Sequence, residues 1–247
     1  MLTVKNKWRE IAESGADTAI LPIGSIEQHG DHLPLAVDHL LVEVFAKQLA
    51  EKLGNVYLLP TMKYGCSVEH MAFPGTIALR PWTLAAFIED VAESLRQHGF
   101  KYLIVTSGHG GNYIIGPTLR TINYRQKDIL CINANGPLPE EGEKVPEDIH
   151  AGHGETSRML AYHPDLVGDY KAQPDTPGVV GQEFLNYIGF DLTTRSGVWG
   201  RPAGASPEQA RASNDRSVEH SVRYVAWVKR RVAEAREKGS CAAPRKT

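Results

Sequence analysis

Two kinds of hydrophobic pattern alternate along this chain. The first is a short, nearly continuous run of Ile, Leu and Val bounded by Gly, Pro or Asn, which is typical of a strand buried on both faces of a sheet. The second is a longer segment whose apolar residues recur every three or four positions, as on one face of a helix. The continuous runs predict strands at residues 18–26, 56–60, 102–106 and 129–133.

Helical periodicity fills the intervals between these runs. Pro81 suits the first turn of a helix, and Gly54 and Gly99 suit positions just beyond a helix end. The predicted helices are residues 39–53, 81–98, 113–126 and 213–238, with a further helical stretch from Glu155. Because strands alternate with helices, we expect an α/β fold in which a mostly parallel sheet is covered by helices on both faces.

Length and composition argue against some classes of function. A chain of 247 residues can bury a sizeable core, so we expect one α/β domain over residues 1–247, with the acidic, Pro- and Gly-rich stretch at 137–148 as a surface loop. The formal net charge of -2 gives no reason to expect a nucleic-acid partner. The pattern of cysteines, the absence of a membrane-length apolar stretch and the charged first residues favour a cytoplasmic protein without a membrane partner.

Polar, Gly-rich segments follow three of the predicted strands. They read SIEQHGDH, KYGCSVEH and SGHGGN in chain order. The carboxyl ends of parallel strands lie at one edge of a sheet, which is where ligands of such folds bind. We therefore expect the polar side chains of these three segments to converge.

Several of these residues are of types that bind metal ions. Glu27 and His29 are two positions apart, so their side chains point to the same face of an extended segment. Asp38 precedes a predicted helix, where it is suited to cap the helix, to bind a metal ion, or both. The later segments add Glu69, His70, His109, Asn112, His150, His153 and Glu155.

Mixed carboxylate and imidazole ligands indicate which metals to expect. They suit Zn, Mn, Fe or Co better than Mg or Ca, which prefer oxygen ligands alone. The candidates outnumber the ligands of one tetrahedral zinc ion, whereas two ions about 3.5 to 4 Å apart, bridged by a carboxylate, would use them all. We therefore expect a pair of divalent ions per subunit, namely Zn, Mn or Fe.

The segment EQHGDHLPLAVDH resembles the first motif of the creatininase (creatinine amidohydrolase) family, approximately E-Q-H-G-x-H-L-P-x-x-x-D. Further blocks match that family in order at residues 69–76, 108–112 and 150–157, and the resemblance spans roughly residues 8 to 210. The resemblance implies a three-layer α/β fold, a two-metal site, hydrolysis of amide-type C–N bonds and a homo-oligomer, often a hexamer.

The resemblance also implies roles for individual residues. Glu27, His29, Asp38 and His109 match metal ligands of the family, with Asp38 as the bridge between two ions. His150 matches a histidine beside the substrate and is expected to move a proton.

One position departs from the family pattern. Creatininase proper has a carboxylate ligand two residues after the histidine matched by His109, and this chain has Gly111 there. Glu155 is the candidate to complete the site, as a ligand or as an acid and base. The departure argues against creatinine itself as the substrate. Similar proteins include formamide hydrolases of pyrimidine intermediates and enzymes that trim peptide-derived cofactors.

The expected reaction is attack of a metal-bridging hydroxide on the carbonyl of a small amide, lactam or formamide. His150 or Glu155 would carry the proton to the leaving nitrogen. Backbone N–H groups of the glycine-rich block are candidates to bind the developing oxyanion. The candidate substrate-binding residues are His70, Gly110, Gly111, Asn112 and Trp199.

Plainer interpretations stay open for several of these residues. Asp38 and Asn112 are suited to helix caps, Glu155 to a first-turn charge and Trp199 to a tight turn. For the whole protein the alternatives are a two-metal phosphoesterase and a non-catalytic ligand-binding protein with an inherited metal site. The motifs carry no basic cluster of the kind that phosphate substrates recruit, which argues against the phosphoesterase.

Overall fold

A parallel sheet lies at the centre of the molecule. The computed structural model describes residues 1–136, 148–176, 190 and 194–240. Within those residues the sheet has five strands in the order β1-β3-β2-β4-β5, and every pairing is parallel. The strands are β1 (Leu2–Thr3), β2 (Thr18–Ile23), β3 (Tyr57–Leu58), β4 (Tyr102–Ser107) and β5 (Leu130–Asn133).

Helices cover both faces of this sheet, which confirms the expected α/β architecture of three layers. The helices are α1 (Trp8–Glu13), α2 (Val37–Leu53), α3 (Pro81–Gln97), α4 (Ile115–Arg125), α5 (His153–Tyr162) and α6 (Pro207–Ser240). Single 3₁₀ turns lie at Val68–His70, Pro164–Leu166, Tyr170–Ala172 and Pro202–Gly204. No helix in the described part of the chain combines the length and apolar character needed to cross a membrane.

Successive side chains of each strand point to opposite faces of the sheet, so the hydrophobic core has two parts, one on each face. Leu21 and Leu103 pack with α3 and α4, whereas Ile20 and Ile104 point to the opposite face, against α2 and α6. All four side chains are buried. Burying one such side chain stabilises the fold by about 1.5 to 3 kcal/mol, so both faces of the central strands contribute to the core. This explains why the strands read as continuous apolar runs rather than as alternating patterns.

The bounds of the elements differ from the predicted ones where packing overrides local pattern. β2 ends at Ile23 rather than at residue 26, because the chain leaves the sheet at Gly24, which lies against the backbone of His39 with no room for a side chain. α2 begins at Val37, so Asp38 lies inside the first turn and does not cap the helix. Two short elements, β1 and α1, are too brief to show a period and were not predicted. Most of the acidic loop expected at 137–148 lies outside the described residues.

The crossovers define where a ligand would bind. α2 leaves the carboxyl end of β2 on one face, and α3 enters β4 from the other face. β2 and β4 are neighbours with their full lengths in register. A crevice therefore opens beyond the carboxyl ends of these two strands, which is the switch point at which ligands bind in open α/β sheets.

Candidate metal centre

The loop after β2 turns back on itself and buries its charged residues. The backbone N–H of Glu27 donates to the carbonyl of Leu35 at 3.2 Å, and His29 pairs with Leu33 through the backbone. Gly30 has φ of +67°, a value that favours glycine, and it allows the chain to reverse between the two arms. As a result Glu27 is 0% exposed and His29 is 1% exposed. These side chains are therefore held at the sheet edge and shielded from water.

His109 joins two carboxylates in a buried group. Its Nδ1 atom lies 3.0 Å from Oε1 of Glu27 and 3.4 Å from Oδ2 of Asp38. Its other ring nitrogen, Nε2, lies 2.8 Å from the carbonyl oxygen of Cys66, an atom that only accepts, so Nε2 carries a proton. In a neutral ring the lone pair of Nδ1 then faces both carboxylates. That arrangement needs a proton or a cation between the three groups.

His29 repeats this arrangement on the other side of Asp38. Its Nε2 atom lies 3.3 Å from Oδ1 of Asp38 and 3.7 Å from Oε2 of Glu155. Its Nδ1 atom lies 3.1 Å from the carbonyl oxygen of Glu27, so Nδ1 donates and the lone pair of Nε2 points at the carboxylates. Asp38 therefore faces His29 with one oxygen and His109 with the other. The hydroxyl of Ser25 donates to Oδ2 of Asp38 and orients it.

The electrostatics of these residues are those of a site that attracts cations. Burial lowers the pKa of His29, but the carboxylates of Asp38, Glu155 and Glu27 together outweigh burial and raise it to about 9. For His109, too, burial lowers the pKa and the carboxylates of Glu27 and Asp38 raise it well above its ordinary value. Burial raises the pKa of Asp38, yet the facing histidines bring it below its ordinary value. Burial, followed by the charge of Asp38, raises the pKa of Glu27.

Unpaired polar atoms show that the protein alone does not complete this cluster. Among the described residues, both carboxylate oxygens of Glu27 and Nε2 of His29 are buried without a hydrogen-bond partner. A buried charge without a partner costs several kcal/mol, so native proteins pair such groups or coordinate a metal ion with them. Sets of ligand atoms within 4.8 Å of one another are formed by Glu27, Asp38 and His109, and by His29, His150 and Glu155. The donor set is therefore suited to divalent transition metals.

Two further histidines stack beside these groups. The ring of His150 lies 4.2 Å from that of His29 and 4.4 Å from that of His70, measured between centroids. Burial, followed by the charge of His29, lowers the pKa of His150 to about 4. Burial and the neighbouring His150 lower the pKa of His70 as well. Both rings are thus neutral near pH 7 in the metal-free protein, unlike His29 and His109.

The contacts of Glu155 fit both roles considered from the sequence, a charge in the first turn of a helix and a member of the metal-binding cluster. It lies in the first turn of α5, and its Oε2 atom accepts the backbone N–H of Ala151 at 2.6 Å. The same oxygen faces His29. Ala151 has φ of +51°, an uncommon value for a residue with a side chain. The backbone N–H groups of His153 and Gly154 donate to Asp148, which sequence reasoning missed as the residue that caps this helix.

Two predicted substrate-binding residues have structural contacts instead. The side-chain oxygen of Asn112 accepts the backbone N–H of Cys66 at 2.8 Å, and its amide donates to the carbonyl of Gly24 at 3.1 Å. Asn112 therefore ties the end of β2 to the segment after β3, and it does not cap α4, which begins at Ile115. Trp199 is 3% exposed, and its backbone pairs with His150. It lies behind His150, in ring contact with Phe190.

The glycine-rich block packs closely against the cluster. A side chain at Gly111 would meet Oε1 of Glu69 and Nε2 of His109. The place where creatininase proper has a carboxylate ligand is therefore closed here by Glu69, whose Oε1 atom lies 3.5 Å from Nε2 of His109. Gly110 is exposed and Gly111 is partly buried, so the block reaches the surface beside the cluster. Sequence reasoning counted Glu69 among the candidate metal-binding residues and left its role open between lining a pocket and binding metal.

A carboxylate and imidazole cluster at the carboxyl edge of a parallel sheet is the arrangement of a metal-dependent hydrolase. The chain matches the family model of creatininase, described as creatinine amidohydrolase, over residues 5–225. The chain therefore belongs to the creatininase family, and as a member of that family it is a metal-dependent amidohydrolase.

Individual relatives agree with this placement. Creatinine amidohydrolase of Pseudomonas putida is 31% identical over a 188-residue alignment that covers 65% of this chain and 71% of that protein. The mycofactocin precursor peptide peptidase of Mycobacterium tuberculosis (strain ATCC 25618 / H37Rv) is 28% identical over a 235-residue alignment that covers 87% of each chain.

Solved structures share the fold. A crystal structure of creatinine amidohydrolase (creatininase) matches with a TM-score of 0.74 and 26% identity, covering 92% of this chain and 97% of that one. A manganese form of creatininase matches with a TM-score of 0.70, and a zinc–zinc form of a variant matches with 0.71, each at 27% identity and over 93% of this chain. They cover 98% and 97% of those chains.

Proposed function

We propose that this protein holds two divalent metal ions, Zn, Mn or Fe, and hydrolyses a C–N bond of a small amide, lactam or formamide. The observation that carries the proposal is the position of Asp38. Its two oxygens face the lone pairs of two different histidines, His29 and His109, and each histidine is held in that orientation by a backbone carbonyl. A carboxylate placed in this way is suited to bridge two cations.

The proposed ligands form two sets that share Asp38. One set is Glu27, Asp38 and His109, and the other is His29, Asp38 and Glu155. Three protein ligands for each ion leave coordination positions open, as in catalytic rather than structural metal sites. When bound, such ions polarise an amide carbonyl and lower the pKa of water into the neutral range. Glu155 thereby replaces the carboxylate that this chain lacks at Gly111.

His150 is the residue that we assign to proton transfer. Its Nε2 atom lies 2.7 Å from the carbonyl oxygen of Gln28 and must donate to it, so the lone pair is on Nδ1. Nδ1 lies 3.8 Å from Oε1 of Glu27 and 4.0 Å from Oε2 of Glu155, and hence faces the cluster. His150 would accept the proton of the attacking water at Nδ1 and return it to the leaving nitrogen. Glu155 is less suited to this task because its Oε2 atom already accepts a backbone N–H.

The two-metal phosphoesterase remains the second candidate, and the residue types of the cluster disfavour it. Within the described residues, the ion-pair partners of Glu27, Asp38 and Glu155 are histidines rather than the Arg or Lys that phosphate esters recruit. A cluster that is already rich in carboxylates favours a substrate without negative charge at the reacting group.

Metal analysis combined with a substrate screen tests the proposal. Protein purified without chelators should contain close to two equivalents of transition metal, and chelation should abolish turnover. The metal-loaded protein should hydrolyse members of a panel of formamides, lactams and short peptides but not generic phosphate esters. Turnover of phosphate esters alone would overturn the proposal. The panel includes lactams and peptides because relatives are named as a creatinine amidohydrolase and as a precursor peptide peptidase.

Three residues beside the cluster are proposed to contact the substrate. His70 lies beside Glu27, and Gly110 and Gly111 offer backbone N–H groups next to His109. We keep these three as substrate-binding candidates. Assembly into a homo-oligomer, such as a hexamer, and a cytoplasmic location stay predictions, and sedimentation of the purified protein tests the first of them.

A further inference from the structure

Gln28 contacts both His70 and His150, although its position in the sequence predicts no role for it. The residue is 6% exposed and sits between Glu27 and His29 in the first motif. Its side-chain oxygen accepts the backbone N–H of Gly30 at 2.9 Å. Its amide nitrogen lies 2.9 Å from Nδ1 of His70 and, at a longer 3.2 Å, near Nε2 of His150. Gln28 therefore links the first metal-binding segment to the segment that follows β3.

The direction of the Gln28 amide is determined by its surroundings. Because the backbone N–H of Gly30 only donates, the atom facing it must be the carbonyl oxygen, and the NH₂ group must face His70. A side chain at Gly197 would meet this same oxygen, so the loop around Gly197 closes over the amide. The backbone N–H of Gln28 also donates to the hydroxyl of Thr76 at 3.3 Å. These contacts leave the amide no room to turn over.

A fixed NH₂ group determines the tautomer of His70. The NH₂ group cannot accept a hydrogen bond, so Nδ1 of His70 must accept one and carries no proton. The proton of the neutral ring is then on Nε2. That atom is on the side of Glu27, 3.4 Å from its Oε1 atom. In this tautomer His70 has no lone pair to offer to a metal ion.

The backbone of the same residue fixes the same tautomer of His150, but there the unprotonated nitrogen faces the cluster. Nε2 of His150 donates to the carbonyl oxygen of Gln28, which leaves the lone pair on Nδ1. His70 thus has its protonated nitrogen on the side of Glu27, whereas His150 presents its unprotonated nitrogen to Glu27 and Glu155. One residue makes two neighbouring, stacked imidazoles present different nitrogens to the cluster.

We propose that Gln28 is a positioning residue that keeps the proton of His70 on Nε2, on the side of Glu27, and so keeps His70 out of the metal-ligand set. Glu27, His70 and His150 place ligand atoms within 4.8 Å of one another, which by distance alone would suit a metal ion. The hydrogen bond from Gln28 places the protonated nitrogen of His70 in that group instead. The tautomer stands on contacts within the protein, and only its consequence for catalysis rests on the proposed function.

Long-range ¹H–¹⁵N correlation spectra of the histidine rings test the tautomers directly. In the unchanged, zinc-loaded protein at mildly alkaline pH, Nδ1 of His70 should be unprotonated and Nε2 protonated, with His150 also protonated at Nε2. The loss of one signal set in His70→Gln provides the assignment. A protonated Nδ1 on His70, or a metal-bound Nε2, would overturn the proposal without any variant at position 28.

Two variants at Gln28 sharpen this test. Gln28→Glu replaces the donor by an acceptor, so Nδ1 of His70 should gain a proton. Gln28→Met keeps the size but removes the donor, so His70 should lose its preference for one tautomer and Nδ1 should become partly protonated. His150 should keep its Nε2 proton in both variants, because its partner is a backbone carbonyl. An unprotonated Nδ1 in Gln28→Glu would contradict the assigned role.

Metal content and kinetics complete the experiment. His70→Gln and both Gln28 variants should retain the metal stoichiometry of the unchanged protein, and loss of an equivalent in His70→Gln would show that His70 is a ligand after all. Turnover should fall by about 10- to 100-fold in Gln28→Glu, as for other residues that orient groups beside a metal. Gln97→Met, at an exposed glutamine on α3, is the matched control and should change nothing. A protein that hydrolyses no amide but shows the expected tautomers would contradict the proposed function and leave this inference standing.

Discussion

Two pairs of histidines at the same sheet edge behave in opposite ways. His29 and His109 face Asp38 and have raised pKa values, whereas His70 and His150 face one another and have lowered ones. All four rings are buried, so burial does not account for the difference. The partners account for it: carboxylates oppose the first pair, while a neighbouring imidazole and the contacts of Gln28 surround the second.

This contrast assigns different chemistry to identical side chains. The first pair directs lone pairs at carboxylates and is suited to share cations with them. The second pair stays neutral, and of the two rings His150 keeps a free lone pair, on Nδ1, that can accept a proton. The difference between metal binding and proton transfer therefore lies in the hydrogen-bond partner of each ring.

The largest effect is expected at the residue that belongs to both proposed metal sets. Asp38→Asn keeps the shape of the side chain but removes the charge that both histidines face. We expect loss of bound metal and a fall in turnover of more than about 100-fold, beyond the range for residues that only orient a ligand. Elemental analysis and steady-state kinetics measure both. Asp31→Asn, exposed on the same loop, is the control, and full metal content in Asp38→Asn would remove the basis for a shared carboxylate.

A second, smaller effect separates the two pairs of histidines. His150→Gln removes the proposed proton carrier but none of the six ligand positions assigned to the ions. Metal content should therefore stay unchanged while kcat falls by about 10²- to 10⁴-fold, the usual contribution of general acid–base catalysis. The acid limb of the pH–rate profile should disappear with it. Loss of metal in this variant would place His150 among the ligands instead.

The pH dependence of the metal-free protein sharpens the contrast further. His29 has a pKa of about 9 when folded and about 6.5 when unfolded, so its stabilising contribution is complete below pH 6.5 and is lost as pH rises through 9. His150 has a folded pKa of about 4, so unfolding takes up a proton and stability falls as pH drops from 6.5 toward 4.

Chemical denaturation across this range checks both limbs. His29→Gln should flatten the alkaline limb, and His150→Gln should flatten the acid limb. If His29→Gln flattened the acid limb and His150→Gln the alkaline limb, the partners of the two rings would have to be exchanged.

The smallest effect is expected in the apolar layer below the site. Ile104→Val removes one buried methyl group between the sheet and its α2 and α6 layer. The free energy of unfolding should fall by about 0.5 to 1.5 kcal/mol, with metal content and turnover unchanged. Urea titration with parallel activity assays tests this, and a loss of metal would show that core packing and the cluster are coupled.

The amino-acid sequence by itself determined the class of fold and much of the cluster. Continuous apolar runs separated by helical periods suffice for a parallel α/β sheet, because burial on both faces demands that composition locally. Glu27, His29, Asp38 and His109 could be singled out because they follow strands whose carboxyl ends must lie together. The two-residue strand β1 and the short helix α1 could not be predicted from the sequence, because neither is long enough to show a hydrophobic periodicity.

Tertiary structure alone decided what each polar side chain does. The roles of His70 and His150 depend on whether the protonated or the unprotonated ring nitrogen faces the cluster, and the contacts with Gln28 fix that arrangement. His109 is oriented by the carbonyl oxygen of Cys66, a backbone atom that carries no residue-type signal. Asn112 was predicted to contact substrate because its motif adjoins the site. In the folded chain its amide forms hydrogen bonds with the backbone of Cys66 and Gly24. Hydrogen-bond direction is set by the atoms that meet in three dimensions, and a linear pattern of residue types does not contain it.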